Sequence, residues 1–265
     1  DFRKDYPAID LKHCQKLITK KTKVLLLYYV AGYVQNPVEI RKFCKKNNLI
    51  FIEDVNCALG STYKNKKLGN FGDYSVFSFY PNRTLSSING GAIAFPNKNK
   101  MNKFKDEINY GIKKKSNKIG NLSKNNNLKK IGFFNKFLNL SAGISNENLK
   151  KLNFKIMKIK KNKFYYDKQI KNTIIINKIK NLKNFDTVPW VYFLRSKKSN
   201  AIIKYLNKNN IHSNKLHYLN HMYKGFKLHS RKNIKLKNTI NFYKEIFTIP
   251  CGWWLAIEER NKIIK

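Results

Sequence analysis

The sequence is poor in acidic residues and in arginine. It has only 15 aspartates and glutamates against 55 lysines and arginines, which gives a formal net charge of +40. Only six of the basic residues are arginine, and the lysines are scattered among many asparagines and isoleucines. A nucleic-acid-binding protein more often gathers its basic residues on one face, with aromatic residues for stacking. The scatter therefore favours compositional bias from A/T-rich codons, and nucleic-acid binding is the distant alternative.

Cysteine is scarce and is not arranged for metal binding. The four cysteines form no C-x-x-C pair and have no histidine at zinc-ligand spacing. Isolated cysteines are typical of a reducing compartment, so we predict a cytoplasmic protein. His217 and His221 are four residues apart, but the Tyr-Leu-Asn between them favours a turn over one helix face. We predict no metal site.

Long apolar runs are also absent. The longest, residues 24–34, falls well short of the roughly 18 residues that a membrane span needs, so we predict no membrane segment. Hydrophobic residues make up 42% of the chain and aromatic residues 14%, which is enough to bury a sizeable core. The chain begins at Asp1, inside what looks like ordinary domain sequence. We expect it to be N-terminally incomplete.

The first third of the chain alternates strand and helix signals. Residues 23–30 and 49–55 are nearly continuous apolar runs, typical of strands buried on both faces of a parallel sheet. Asn36-Pro37 between them predicts a helix start, with asparagine as the N-cap and proline at the first position. Two more strands are predicted at 74–80 and 91–95. The pattern predicts an α/β fold whose ligand edge lies at the carboxyl ends of the strands.

The second half predicts a linking helix and a small domain. Residues 97–131 are rich in lysine and asparagine, so we expect a short helix near 101–110 and then a mobile polar stretch. Apolar residues at 3–4 spacing predict one long helix from about Asn146, which links two domains or forms a coiled coil. We place the domain boundary between 145 and 146. The C-terminal α+β domain is predicted to contain strands at 189–195 and 211–218, a helix at 200–208 and a terminal helix from about Ala256.

Several residues at the predicted strand ends are candidates for a site. The carboxylate of Asp54 either caps the following turn or faces a cationic ligand group, because a buried carboxylate needs a partner. Ser78 either caps its turn or binds a phosphate. Gly90-Gly91 permits close approach of a backbone before the next strand.

The order and spacing of these residues resemble the DegT/StrS-type sugar aminotransferases, which are fold type I enzymes dependent on pyridoxal phosphate (PLP). The resemblance covers nearly the whole chain and is strongest over residues 23–95. The matching segments are YVAG (29–32), FIEDVNCALGSTYKNKKLGNFGDYSVFSFYP (51–81), NGGAIAF (89–95), KLHYLNHMY (215–223) and TIPC (248–251). The resemblance implies a partial PLP-binding large domain with a mostly parallel sheet, followed by a small α+β domain. It further implies a homodimer that uses a nucleotide-sugar substrate and an amino donor in polysaccharide or aminosugar biosynthesis.

The resemblance also implies roles for individual residues. Asp54 matches the aspartate that pairs with the pyridine nitrogen, which keeps the ring protonated as an electron sink. Ser78 matches the serine that binds the cofactor phosphate, and Cys57 occupies a cofactor-contacting position. His217 and Tyr29 match the substrate pocket. The inter-subunit phosphate contact is expected at Asn135, with Asn139 as the runner-up.

The sequence departs from the family pattern at Arg83, five residues after Ser78, where the family has its Schiff-base lysine. A guanidinium stays protonated, so it neither forms an imine with the cofactor nor readily acts as a general base. Cys57 stands where the family usually has glutamine or histidine, and the family's phosphate turn and ring-stacking aromatic would precede residue 1. Activity is therefore uncertain. The alternative is a catalytically inactive homologue that binds a nucleotide sugar or a partner subunit. In either case Asp54, Ser78 and Arg83 are predicted to converge on one crevice.

Overall fold

The computed structural model describes residues 1–105, 107–111, 131–227 and 235–265. The strands in this part are β1 (Phe2–Arg3), β2 (Tyr6–Ile9), β3 (Val24–Tyr28), β4 (Ile50–Asp54), β5 (Thr62–Tyr63), β6 (Lys66–Lys67), β7 (Tyr74–Ser78), β8 (Gly91–Ala94), β9 (Asn177–Lys178), β10 (Phe185–Asp186), β11 (Tyr192–Arg195) and β12 (Ile246–Ile249). The helices are α1 (Leu11–Leu17), α2 (Pro37–Lys46), α3 (Lys98–Lys105), α4 (Asn139–Lys150), α5 (Leu152–Gln169), α6 (Ser199–Lys208), α7 (Lys224–Lys227), α8 (Lys237–Glu245) and α9 (Ile257–Ile264).

The largest sheet has four strands in the order β3-β4-β7-β8. Strands β3, β4 and β7 are parallel, and β8 pairs antiparallel with β7. The predicted α/β fold with a mostly parallel sheet is confirmed. The parallel register pairs Tyr28 with Asp54 and Asp54 with Val76, which fixes the side chains that share a face.

Helix α2 connects the first two parallel strands, as the sequence predicts. Asn36 caps it by accepting hydrogen bonds from the backbone N–H groups of Val38 and Glu39 at 3.1 and 3.2 Å. Pro37 occupies the first turn, where a missing N–H costs nothing. The helix buries Ile40 and Cys44 against the sheet, so one sheet face becomes core.

The two faces of the sheet differ in their exposure. Leu27 and Phe51 point into the core and are at most 1% exposed. Because side chains alternate along a strand, Leu26 and Ile50 point to the opposite face, where they are 57% and 44% exposed. Asp54 lies on this second face, at the carboxyl edge of the sheet.

A smaller antiparallel sheet, in the order β12-β11-β9, forms the C-terminal unit. Residues of α5, α6, β11 and β12 build its core: Ile159, Tyr166, Tyr192, Leu194, Leu206, Phe247 and Ile249. Backbone bonds tie it to the N-terminal part, because the Trp190 N–H donates to the Ala31 carbonyl at 2.8 Å. The predicted boundary between residues 145 and 146 falls within α4.

Two predicted elements are wrong in detail. One helix is predicted from about Asn146, but the structure has two. Helix α4 begins earlier, at Asn139, and Lys151 interrupts the helix before α5 begins. Residues 211–218 do not form a strand. Instead, the side-chain amide of Asn207 bonds the backbone N–H and carbonyl of Ser213, both at 2.9 Å. These side-chain bonds replace a strand ladder.

The polar stretch after α3 lies mostly outside the described residues. Its predicted short helix corresponds to α3, which lies a few residues earlier than expected. Within the described ranges, no helix combines the length and apolarity that crossing a membrane requires.

Candidate functional site

The candidate site lies at the carboxyl edge of the parallel strands. Asp54 and its register partner Tyr28 share the exposed face, and Ser78 shares it because it lies two residues beyond Val76 on β7. Arg83, in the loop after β7, reaches the same edge, where its charge acts on Asp54. The structure thus brings Asp54, Ser78 and Arg83 to one edge and one face of the sheet.

The Arg83 guanidinium lies between an aromatic ring and a thiol. It is 4.8 Å from the centre of the Trp190 ring, and Nη1 donates to the Cys57 Sγ at 3.4 Å. Among the described residues, its buried Nε has no hydrogen-bond partner. The Trp190 indole N–H also bonds the Asn82 carbonyl at 2.9 Å, so the tryptophan fixes both the loop and the arginine.

Tyr28 links Cys57 to His217. Its hydroxyl oxygen lies 3.2 Å from the Cys57 Sγ and 3.3 Å from the His217 Nε2. The His217 ring stacks near Trp190, with centroids 6.4 Å apart and an interplanar angle of 19°. The crevice therefore contains a chain of hydrogen-bonding groups, with His217 open to solvent at one end.

Burial and the Arg83 charge together set the protonation of these groups. Partial burial raises the pKa of Asp54, while a hydrogen bond from the Asn56 N–H and the Arg83 charge oppose the rise. Partial burial and then the Arg83 charge lower the pKa of His217. Burial raises the pKa of Cys57, against the Tyr28 hydrogen bond and Arg83. Arg83 thus favours a neutral imidazole and an ionised Asp54 carboxylate.

Ser78 caps the turn after its strand. Its Oγ accepts a hydrogen bond from the Tyr80 N–H at 3.2 Å. The hydroxyl proton remains a donor, so capping leaves Ser78 able to bond a phosphate oxygen.

Tyr29 does not reach the crevice. It is fully buried, and its hydroxyl donates to the Glu53 Oε1 at 2.8 Å. The other Glu53 oxygen accepts the backbone N–H groups of Phe71 and Gly72, both at 2.7 Å. Strand alternation explains the placement, because Tyr29 follows Tyr28 and so points to the core side together with Glu53. Tyr29, which is predicted for the substrate pocket, therefore lies on the core side, and its neighbour Tyr28 faces the crevice.

Asn135 and Asn139 are both exposed. The Asn135 N–H donates to the Ile108 carbonyl at 3.1 Å, and Asn139 is the first residue of α4. Their inter-subunit contact stays a prediction, because the structure contains one chain.

Sequence reasoning missed Tyr28 and Trp190. Strand alternation could have identified Tyr28, since it occupies the face that Asp54 shares. No local signal marks Trp190, which is far from Arg83 in the chain and reaches it only through tertiary packing.

The chain matches the DegT/DnrJ/EryC1/StrS aminotransferase family over residues 1–265. It belongs to this family. The Campylobacter jejuni UDP-4-amino-4,6-dideoxy-N-acetyl-beta-L-altrosamine transaminase (strain 81-176) is 27% identical over 256 residues, covering 92% of this chain and 65% of that protein. The chain thus spans less than two thirds of the length of this relative.

Solved structures agree with the family assignment. The structure of Helicobacter pylori PseC, an aminotransferase involved in the biosynthesis of pseudoaminic acid, is 26% identical with a TM-score of 0.87, covering 97% of this chain and 68% of that one. Spr1654 of Streptococcus pneumoniae, in its PLP-form, is 22% identical with a TM-score of 0.82, covering 97% and 70% of the two chains. The fold type I expectation is confirmed.

The family implies PLP, and the crevice fits part of that cofactor. The half-buried Asp54 carboxylate suits a protonated ring nitrogen, and the free Ser78 hydroxyl proton suits a phosphate oxygen. Arg83 does not suit the aldehyde, because a guanidinium does not form the imine that a lysine amine forms. The residues therefore fit a cofactor held without a covalent bond.

Proposed function

We propose that this chain is a PLP-binding nucleotide-sugar aminotransferase homologue of polysaccharide or aminosugar biosynthesis. The observation that carries the proposal is the cluster of Tyr28, Asp54, Cys57, Arg83 and His217 at the carboxyl edge of the parallel strands. Open α/β sheets bind their ligands at this edge. The whole-chain match to a family with a UDP-sugar transaminase supports the substrate class.

The bound cofactor would supply an electron sink for a carbanion next to the transferred nitrogen. Asp54 would hold the ring nitrogen in its protonated form, which Arg83 favours by keeping the carboxylate ionised. Ser78 would donate to the phosphate. Tyr28 and His217 would orient the sugar side, with a neutral imidazole able to accept a proton.

With Arg83 in place of the lysine, this position does not supply the proton transfer that transamination requires. Its guanidinium keeps its proton and is held by Cys57 and Trp190, so it does not carry protons between substrate and cofactor carbons. These contacts favour a second candidate function, a homologue that binds cofactor and nucleotide sugar without transferring an amine.

The proposed setting is a cytoplasmic homodimer that takes an amino donor and a nucleotide sugar. The isolated spacing of the four cysteines along the sequence supports a reducing compartment. Exposed apolar side chains on α4 and on the segment before it support a subunit interface.

The test is the substitution Arg83→Lys in the full-length polypeptide. Because Asp54 and Ser78 occupy positions that match the family's cofactor contacts, we expect this variant to turn yellow with PLP and to retain the cofactor covalently after borohydride reduction. The unsubstituted protein should bind PLP reversibly and lose it on dialysis after the same treatment.

A matched control separates specific from surface reaction. Arg83→Lys combined with Asp54→Asn should lose most of the fixed cofactor, since the ring nitrogen loses its partner. If Arg83→Lys alone fixes no more cofactor than this double variant, the aminotransferase proposal fails. Amine transfer to a nucleotide sugar by the unsubstituted protein would instead exclude the binding-only candidate.

A further inference from the structure

Lys155 on α5 is a buried lysine in a chain whose lysines are mostly at the surface. Only 4% of the residue is exposed. Its Nζ donates to the Asn148 Oδ1 at 2.6 Å and lies 3.4 Å from the Thr84 carbonyl oxygen. The ring of Trp253 lies 4.6 Å below it. All three of these partners are neutral, so the ammonium is buried against dipoles and an aromatic face.

The Thr84 contact belongs to a set of bonds that hold the loop after Arg83. The Asn148 side-chain amide also donates to the Ser86 carbonyl at 3.1 Å. The Ser87 hydroxyl donates to the Ser141 carbonyl of α4 at 2.6 Å. Helices α4 and α5 therefore hold this loop at Thr84, Ser86 and Ser87.

The position of Lys155 is costly by itself. Burying an ammonium beside neutral acceptors loses hydration, and burial followed by the Lys151 charge lowers the pKa of Lys155. An apolar residue of similar volume would pack beside Trp253 at lower cost. What the lysine adds is a directed donor toward the residue next to Arg83.

We propose that Lys155 is a positioning residue that, together with Asn148, fixes the loop so that Arg83 stays in the crevice. On the other side of Arg83 in the sequence, Trp190 bonds the Asn82 carbonyl, and its ring contacts the Arg83 guanidinium. The loop is thus held on both flanks of residue 83. This inference concerns the folded chain alone and does not depend on the proposed function, because its tests need no cofactor.

The test uses Lys155→Met, which removes the ammonium and keeps the apolar stem. Two amides report on the loop: the Arg83 N–H donates to the Tyr80 carbonyl at 3.0 Å, and the Ser87 N–H donates to the Phe79 carbonyl at 2.7 Å. We expect hydrogen exchange at both amides to accelerate about tenfold or more, consistent with losing a hydrogen bond to a charged group. Amides within β4 should keep their rates.

The second readout is the titration of His217 by NMR. Its ring faces Tyr28 and Trp190, and the Arg83 charge contributes to lowering its pKa. If Arg83 leaves the crevice in Lys155→Met, the pKa of His217 should rise toward its ordinary value. A residue that only adds global stability would not move this titration.

Two variants serve as controls. Lys155→Arg keeps a cationic donor and should match the unsubstituted protein in both readouts. Lys158→Met removes an exposed lysine from the same helix and should also change neither. If Lys155→Met does not fold, Asn148→Ala replaces it, because it removes the acceptor of Lys155 and the donor to Ser86.

Unchanged exchange at Arg83 and Ser87 in a folded variant would overturn the proposal. So would a uniform acceleration across the whole chain, because that result indicates lost global stability and no specific hold on the loop. An unchanged His217 titration would show that Arg83 keeps its place without Lys155.

Discussion

At the scale of single residues, two adjacent carboxylates at the end of one strand have separate tasks. Asp54 faces the crevice, whereas Glu53 is fully buried beneath it. Glu53 accepts hydrogen bonds from Tyr29, Gly69, Phe71 and Gly72 at 2.7 to 3.0 Å. Glu53 therefore connects the loop before β7 to the strand that carries Asp54. In this way it stabilises the part of the sheet beneath the site.

We expect Glu53→Gln to destabilise the chain by about 2–4 kcal/mol, because the amide offers one acceptor fewer and points N–H groups at N–H donors. Urea unfolding measures the change. The control is Glu147→Gln on the surface, whose ion pair with Lys150 is 67% exposed on the glutamate side and should be worth less than about 1 kcal/mol. Equal effects from the two substitutions would show that Glu53 does not organise this loop.

Arg83 should also be visible in the titration of His217. Removing its charge by Arg83→Met should raise the pKa of His217, which partial burial and Arg83 hold below its ordinary value. Because the folded pKa is the lower one, the unfolded chain binds this proton more readily, and the group reduces stability as pH falls through about 6.5. Solvent screening keeps the stability effect small, so NMR titration is the measurement. An unchanged pKa in Arg83→Met would contradict the assigned proximity.

The site residues show how far sequence reasoning extends at this scale. Asp54, Ser78 and Arg83 could be predicted together, because each follows a strand signal and the edge of a parallel sheet gathers strand ends. Tyr29 lies on the core side and not in the crevice, because side-chain alternation along the strand assigns Tyr28 to the face that Asp54 shares. Trp190 belongs to the C-terminal unit, and no local sequence pattern indicates its contact with Arg83.

At the scale of secondary-structure elements, local chemistry decides which predictions succeed. Helix α2 begins where its cap predicts, because Asn36 satisfies two N–H groups of the first turn by itself. No proline or glycine marks the interruption at Lys151 in the sequence. The apolar spacing of three to four residues continues across it, and it therefore predicts one helix where there are two. The composition of residues 211–218 is typical of a strand. In the structure, however, the Asn207 side chain forms hydrogen bonds with the backbone N–H and carbonyl of Ser213, so these groups are not available for strand pairing.

The pairing of elements around the site depends on contacts distant in sequence. The loop after β7 is shaped by α4 and α5 on one flank and by Trp190 on the other. The length of the loop and the glycines at its end can be read from the sequence. The hydrogen bonds that hold it cannot, because each joins residues more than 50 positions apart. The same hydrogen bonds explain how an arginine occupies this loop without displacing it.

At the scale of the whole molecule, apolar surface is concentrated on α4 and the segment before it. Leu140 and Leu149 of α4 are 69% and 53% exposed, and Phe133 and Phe134 before it are 68% and 52% exposed. Apolar side chains exposed together on one stretch of a folded chain are typical of interaction surfaces. This patch, within residues 133–149, includes the stretch that contains Asn135 and Asn139. These two residues are predicted to contact the phosphate site of a partner subunit.

We therefore expect the full-length protein to be a homodimer in light scattering at micromolar concentration, with this patch buried between the subunits. Leu140→Glu together with Phe133→Asp should convert the dimer to a monomer, because a dimer interface does not accept unpaired buried carboxylates. The control Ile174→Glu alters a fully exposed apolar residue in the C-terminal unit and should leave the dimer intact. A monomer before any substitution would remove the support for a site shared between subunits. A dimer that survives the double substitution would place the interface on another surface, and Asn135 and Asn139 would then lose their proposed contact.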